Sequence, residues 1–229
     1  MLSVELYNLY VYAFIQTPVV DLNLPLGISN IVVLISKSGV SALVEPAISL
    51  ESLQNNDESL IKAVLSHDRV IYEVFRHTTV LPLRFGTSFA SQESLLNHLE
   101  THAEEYLEKL CQIKDKNQYI LKFIPRTLDE TNTPSASAGK EYLLAKKQRY
   151  QAQQNFYTAQ ITEWENIAQT ITQIHESKIV QKEGKETRIY LLVSSQNESL
   201  LTAQLLAWQE ACPRWELQLG EPLPPYDFI

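Results

Sequence analysis

The sequence predicts an α+β fold in two domains. The first is an N-terminal mixed α+β domain over residues 1–112. The second is a C-terminal ferredoxin-like (βαββαβ) domain over 113–229, with one very long helix and a Pro-rich tail at 220–229. Three observations predict this. Charge divides near position 112: residues 1–112 carry 6 basic and 13 acidic side chains, a net of −7, and residues 113–229 carry 13 and 14, a net of −1. The second part reads strand, helix, strand, strand, helix, strand, which is the split βαβ order. Apolar residues make up 45% of the 229, enough for a core and too many for wholesale disorder.

In the first part, Val4 to Ile15 is rich in Tyr, Val, Phe and Ile. From Leu9 both alternating faces are apolar, as in a central strand covered on both sides. Pro18, Pro25 and Gly27 mark an irregular stretch. Ile31 to Ser36 and Val40 to Val44 flank Lys37, Ser38 and Gly39, a hairpin signal, and Pro46 ends it. A helix follows, with Asn55 and Glu58 as a capping box and Leu60, Ile61, Val64, Leu65, Ile71, Tyr72 and Phe75 as its apolar face. Thr79 to Phe85 reads as an edge strand because it contains Pro82. A single helix is expected from about Ser91 to Leu110, with Leu95, Leu96, Leu99, Ala103, Tyr106 and Leu110 inward.

The second part starts with a strand, Gln118 to Ile124, and a linker-like loop over 125–138. A helical pattern then runs from Gly139 to about Glu176. Its later half carries a seam of Tyr157, Ile161, Trp164, Ala168 and Ile171, reinforced by Ile167 and Ile174. The seam is too short for a convincing coiled coil and suits packing on the domain's own sheet. Lys178 to Gln181 and Arg188 to Ser194 flank Glu183, Gly184 and Lys185 as a second hairpin. Ser195 and Glu198 form a capping box for a helix with Leu200, Leu201, Gln204, Leu205 and Trp208 on one face, and Trp215 to Leu219 is the last strand.

Several function classes are excluded or disfavoured. Six glycines are about 2.6% of the chain against an average near 7%, too few for a glycine-rich phosphate cradle. No apolar run approaches the roughly 20 residues of a membrane helix, and no charged n-region of a secretory signal precedes Lys37. The acidic balance disfavours general nucleic-acid or anionic-membrane binding. Cys111 and Cys212 lack metal-type spacing and read as reduced, buried thiols of a cytoplasmic chain.

Four patterns have chemical readings, and each has a plainer one. His98 and His102 stand at i,i+4, but Leu99 occupies the position where a zinc protease has Glu, so they read as a solvated or half-buried helix face. Ser137 to Lys140 fits Ser-x-x-Lys without its companion elements and reads as a helix cap. His67, on the apolar seam, reads as a hydrogen-bonded histidine at the core edge. Lys140, Lys146, Lys147 and Arg149, interleaved with Tyr142 and Tyr150, place positive charge early in a helix, where it opposes the macrodipole. That stretch reads either as a solvated face or as a surface balanced by an acidic one, in the N-terminal part or on a partner.

Four segments together resemble the gas vesicle protein F/L family. They are Leu9 to Tyr12, the stretch from Val80 to Thr87 (VLPLRFGT), Ala138 to Leu143 (AGKEYL), and the tail from Gly220 to Phe228 (GEPLPPYDF). The tail departs from the family pattern at Glu221, Leu223 and Asp227. The resemblance implies a non-enzymatic accessory or minor protein of gas vesicles, inside the cytoplasm. Its partners would be the hydrophobic main shell protein and other accessory proteins, with no cofactor, no nucleic acid and no lipid membrane. It also implies a two-domain α+β organisation. The alternative class is a small ferredoxin-like enzyme or a ligand-binding regulator.

The candidate interaction residues lie in these segments: Arg84, Phe85 and Gly86; Gly139, Lys140, Tyr142, Lys146 and Lys147; and Pro224, Pro225, Tyr226 and Phe228. Phe85 and Gly86 read as core and turn, whereas Arg84 reads either as part of the turn or as a docking group for a carboxylate. The tail reads as an extended segment that packs on the protein itself or meets a partner.

Overall fold

In a computed structural model, residues 8–48, 56–128, 140–181 and 186–229 are described. The expected cap Asn55, the cap Ser137, Gly139 and the hairpin turn at 183–185 lie outside the described residues. The chain divides into two units, one running to Asn117 and joined by Leu223–Ile229, the other spanning Gln118–Pro222. The tail, assigned above to 113–229, thus groups with the first unit, because Tyr226 packs against that unit's core.

The first unit is built on strand β1 (Leu9–Gln16), buried from Leu9 to Ile15. β1 lies between β3 (Val40–Pro46) and the short β4 (Val80–Pro82), with β2 (Val33–Lys37) outside β3. β5 (Ser88–Phe89) pairs with the start of β1 on its β4 side. The β2–β3 hairpin closes through Ser38 (φ 53°) and Gly39 (φ 85°), positive values of the kind a two-residue type I′ turn requires.

A bulge changes how β1 uses its side chains. Val11 pairs with Val44 and Ala13 with Leu43, which leaves Tyr12 as the extra residue. The alternation therefore shifts by one. Tyr10, Tyr12, Ala13 and Ile15 all enter the same core, while the Phe14 ring meets Tyr106 at 4.7 Å, tilted by 33°.

Helix α1 (Asp57–Phe75) begins at Asn56, whose side chain accepts from Glu58 N at 2.9 Å. The cap thus falls one residue after the expected Asn55. Its buried residues are Ala63, His67, Val70, Ile71 and Val74. Of the expected face, Ile61 and Leu65 are 60% and 64% exposed. The helix is turned so that small Ala63 meets the core and His67 gains partners for both ring nitrogens.

The expected single helix over 91–110 is two. α2 (Gln92–Thr101) starts at a reciprocal Ser91–Ser94 capping box, and α3 (Ala103–Gln112) follows. The break is His102 (φ −108°, ψ 12°), where the His98 and His102 rings meet at 4.3 Å, tilted by 34°. Leu95, Leu99, Ala103 and Leu110 are buried, whereas Cys111 is exposed, not buried as expected.

The second unit contains β6 (Lys116–Pro125, from Gln118 on), α4 (Lys140–Ile174), β7 (Glu176–Gln181), β8 (Thr187–Ser194), α5 (Glu198–Ala211) and β9 (Trp215–Leu219). The sheet order is β7-β8-β6-β9. Period-two residues Tyr119, Leu121 and Phe123 of β6 and Ile189, Leu191 and Val193 of β8 face Ile167, Ala168 and Ile171 of α4 and Leu201 and Trp208 of α5. α5 lacks the expected capping box: a 3₁₀ turn, Ser195–Asn197, leads into it, and Asn197 makes no side-chain cap bond. Cys212 is buried, and burial pushes its thiol up to about 11.

α4 is anchored from Gln160 onward. Gln160 Nε2 donates to the carbonyls of Arg126 (3.1 Å) and Arg214 (2.7 Å), and its own carbonyl accepts from Trp215 Nε1 (2.9 Å). Glu163 pairs with the Arg214 guanidinium and accepts from Arg214 N at 3.0 Å. The expected seam is used in part: Ile167, Ala168 and Ile171 are buried and Trp164 packs against the core, but Tyr157, Ile161 and Ile174 are 43–57% exposed.

Candidate functional site

The stretch VLPLRFGT forms an edge strand and a turn on the first unit. Leu83 N donates to Tyr12 O (2.9 Å) and Val11 N to Thr87 O (2.9 Å), so both ends are tied to β1. Thr87 N and its Oγ1 both donate to Arg84 O, at 3.1 and 2.7 Å, closing a β-turn over Arg84 to Thr87. Gly86 sits at the third position with φ 92°, the value a type II turn requires there. Phe85 packs against the core, and Arg84 is exposed.

Buried polar groups hold this turn. His67 Nε2 lies 3.0 Å from Leu83 O, and a carbonyl only accepts, so Nε2 carries the proton. Nδ1 is then the acceptor for the Tyr10 hydroxyl at 2.7 Å, and Tyr10 Oη in turn accepts from Gly86 N at 3.3 Å. The histidine is therefore neutral in one tautomer. Burial lowers its pKa, while the bond to Leu83 acts the other way, and burial pushes the Tyr10 phenol up to about 12. His67 thus takes the structural role read for it.

Beside it, the Glu45 carboxylate is fully buried. It accepts from the backbone N–H of Ile28 (2.7 Å), Ser29 (2.7 Å) and Asn30 (2.5 Å), and from the Tyr12 hydroxyl. Burial, then the bond to Glu45, raises the Tyr12 pKa. Sequence reasoning missed this cluster. Its one signal is an acid, Glu45, closing an apolar strand.

Against β4 lies a cleft of about 550 Å³. Phe14, Leu81, Pro82 and Leu83 line it, with Arg84 and Lys109 beside Tyr106 and with Tyr226 and Ile229 of the tail. Lys109 and Ile229 are a further omission of the sequence reading. Pro224 and Pro225 are buried, and Tyr226 and Phe228 are partly buried. Burial raises the Tyr226 phenol, with Asp68 adding to the shift.

The remaining candidates lie on α4. Lys140, Tyr142, Lys146 and Lys147 are all exposed, and no residue from 140 to 155 is buried. Tyr142, Leu143, Leu144 and Tyr150 are 49–65% exposed. His98 and His102 are half-buried and bonded locally: His98 Nε2 reaches across the break to the Tyr106 hydroxyl of α3 (2.7 Å), and His102 Nδ1 lies 2.9 Å from His98 O. Among the described residues no three His, Cys, Asp or Glu side chains group to hold a metal ion, and no helix is long and apolar enough to cross a membrane.

The family model described as "Gas vesicle synthesis protein GvpL/GvpF" matches residues 8–229. The chain belongs to this family. It is thus related to gas vesicle proteins, as the four segments implied. A relative, gas vesicle protein F of Streptomyces sp. (strain CB03234), is 26% identical over 189 residues, 72% of this chain and 76% of the relative. The fold matches two crystal structures of GvpF. That from Anabaena sp. PCC7120 superposes with a TM-score of 0.69 at 17% identity, over 97% of this chain and 95% of that one. That from Microcystis aeruginosa also gives 0.69, at 16% identity, over 96% and 98%.

Proposed function

We propose that the protein is a non-enzymatic accessory or minor structural component needed for gas vesicle formation. In this reading it works at the gas vesicle in the cytoplasm, binding the main shell protein and other accessory proteins during assembly. A shell subunit that is apolar on one face aggregates unless that face is covered until it is placed. The candidate segments 80–87 and 139–147 supply the contacts, with Gly86 as a turn residue, while the tail over 224–228 packs on the first unit. Gln118–Leu219 is read as a ferredoxin-like domain, which the order β7-β8-β6-β9 and its two helices support.

The observation that carries the reading is the first half of α4. Sixteen residues of helix, 140–155, extend about 24 Å without burying a side chain. A free helix of that length is marginal in water, so the anchored half propagates it. Leu143, Tyr150 and Tyr157 repeat at seven-residue spacing and are all exposed, as on a face that meets another helix. Lys140, Lys146, Lys147 and Arg149 surround them and oppose the macrodipole at some tenths of a kcal/mol each. An acidic, amphipathic partner surface would balance that cost.

Lys146→Glu with Lys147→Glu tests this in cells that make gas vesicles. The shell and accessory proteins are quantified as they co-purify with tagged full-length chain. Recovery is expected to fall about tenfold or more, with stronger salt sensitivity in the wild type. Unchanged recovery of both partners by the folded variant would sink the helix as the docking surface.

A further inference from the structure

From the cleft beside β4 we infer a second binding site, which takes a peptide segment of a partner protein that sets a bulky apolar side chain next to a carboxylate. The inference rests on the reading that the protein works by holding other proteins, but it uses a different surface from α4. The cleft's volume, about 550 Å³, lies within the ~300–1,000 Å³ of ligand sites. Its floor is apolar, and no Asp or Glu side chain lines it.

Two cations stand beside that floor. The Arg84 guanidinium makes no ion pair among the described residues. Lys109 Nζ is 3.0 Å from Glu105 in a pair that is about half exposed, the kind that exchanges partners at little cost. A planar guanidinium matches a carboxylate with two parallel bonds, and an apolar floor beside it favours a carboxylate attached to an apolar body. The backbone on either side of Arg84 is also held before any ligand arrives. Leu83 O is bonded to His67 and Gly86 N to Tyr10, so both flanks of the residue are tied to the core.

The strand edge itself points to the mode of binding. Leu83 N bonds to β1 and Leu81 is its register neighbour two residues back, so the backbone nitrogen of the buried Pro82 lies on the side away from β1. Proline has no N–H, which removes the donor that an added strand would need there. The occupant is therefore held by a side chain and a charge, not by strand addition. A peptide is the fitting class because one wall is already peptide of that chemistry. The tail, Tyr226 to Ile229, is aromatic, acidic, aromatic and aliphatic in turn, and it seats Tyr226 on the core.

The test uses the full chain and two synthetic probes, Ac-Gly-Phe-Glu-Leu-Gly-NH2 and its Gln analogue, titrated by NMR. The Glu peptide is expected to give saturable shifts confined to the amides of 81–87, 106–109 and 226–229. The Gln peptide and the Arg84→Gln variant should each bind at least tenfold more weakly, with the variant's melting temperature unchanged. Equal affinity for both peptides, full binding by Arg84→Gln, or shifts elsewhere would overturn the site. Free 3-phenylpropionate binding as tightly as the peptide would make it a small-acid site and overturn the peptide occupant. The Lys146→Glu, Lys147→Glu protein should keep the peptide affinity; its loss there would also count against a separate cleft. Peptide binding that fails while co-purification through α4 persists would remove this inference alone.

Discussion

Glu45→Ala is expected to destabilise the first unit by about 4 kcal/mol, because it strands several buried donors at once. The carboxylate is inaccessible to water and accepts three successive backbone N–H groups, from Ile28, Ser29 and Asn30, plus the Tyr12 hydroxyl. Bonds to a charged group are each worth about 1.5–3 kcal/mol, and their losses overlap, so the total falls below the sum. Tyr12 follows two residues after Tyr10, which lies opposite Glu45, so the cluster links the loop over 26–31 to the central strand.

Gly27→Ala should reach a similar state by another route. A Cβ at Gly27 would stand 1.9 Å from Glu45 Oε2 and 2.9 Å from the Tyr12 hydroxyl, which forces the carboxylate out of its seat. A loss of about 3 kcal/mol is expected for it. Chemical denaturation of both variants checks the pair. Losses under about 1 kcal/mol in either would show that the carboxylate is not holding the loop.

Removing residues 223–229 is expected to cost the first unit about 3 kcal/mol and about 10 °C in its unfolding transition. The tail's Pro224 and Pro225 are buried, and Tyr226 lies on the core that also contains Tyr10, Tyr12 and Val70. Backbone bonds from Tyr226 N to Pro224 O (2.8 Å) and from Phe228 N to Pro225 O (3.1 Å) fold the segment on itself, so it is not a straight polyproline rod. Tyr226→Ala alone should account for about 2 kcal/mol. Thermal unfolding of the truncated chain reads this directly. An unchanged transition combined with lost vesicle formation would instead give the tail to a partner.

What could be read from the sequence follows the range of the interactions. The Ser38–Gly39 hairpin and the last strand rest on neighbouring residues and lie where expected; the edge marked by Pro82 is also present, but its strand is Val80–Pro82 and not the expected Thr79 to Phe85. The buried face of α1 does not. Counting apolar residues favours Ile61 and Leu65, but the helix is oriented by His67, whose partners Tyr10 and Leu83 lie far off in the chain. The Tyr12 bulge was hidden because both faces of β1 are apolar, so no break in alternation marks it. Leu143, Leu144 and Tyr150 look like core by composition; the helix that carries them has its buried residues from Gln160 on. At the candidate site the turn around Gly86 was legible, while the cleft was not, since Phe14, Lys109 and Ile229 meet Arg84 only in the folded unit.

The central claim is that the protein acts by binding other gas vesicle proteins. Direct binding of the purified chain to purified main shell protein tests it most closely, with the shell protein presented both before and after assembly. Saturable binding to at least one of these states is the predicted result, weakened by added salt and by Lys146→Glu with Lys147→Glu. No binding in any assembly state would contradict it.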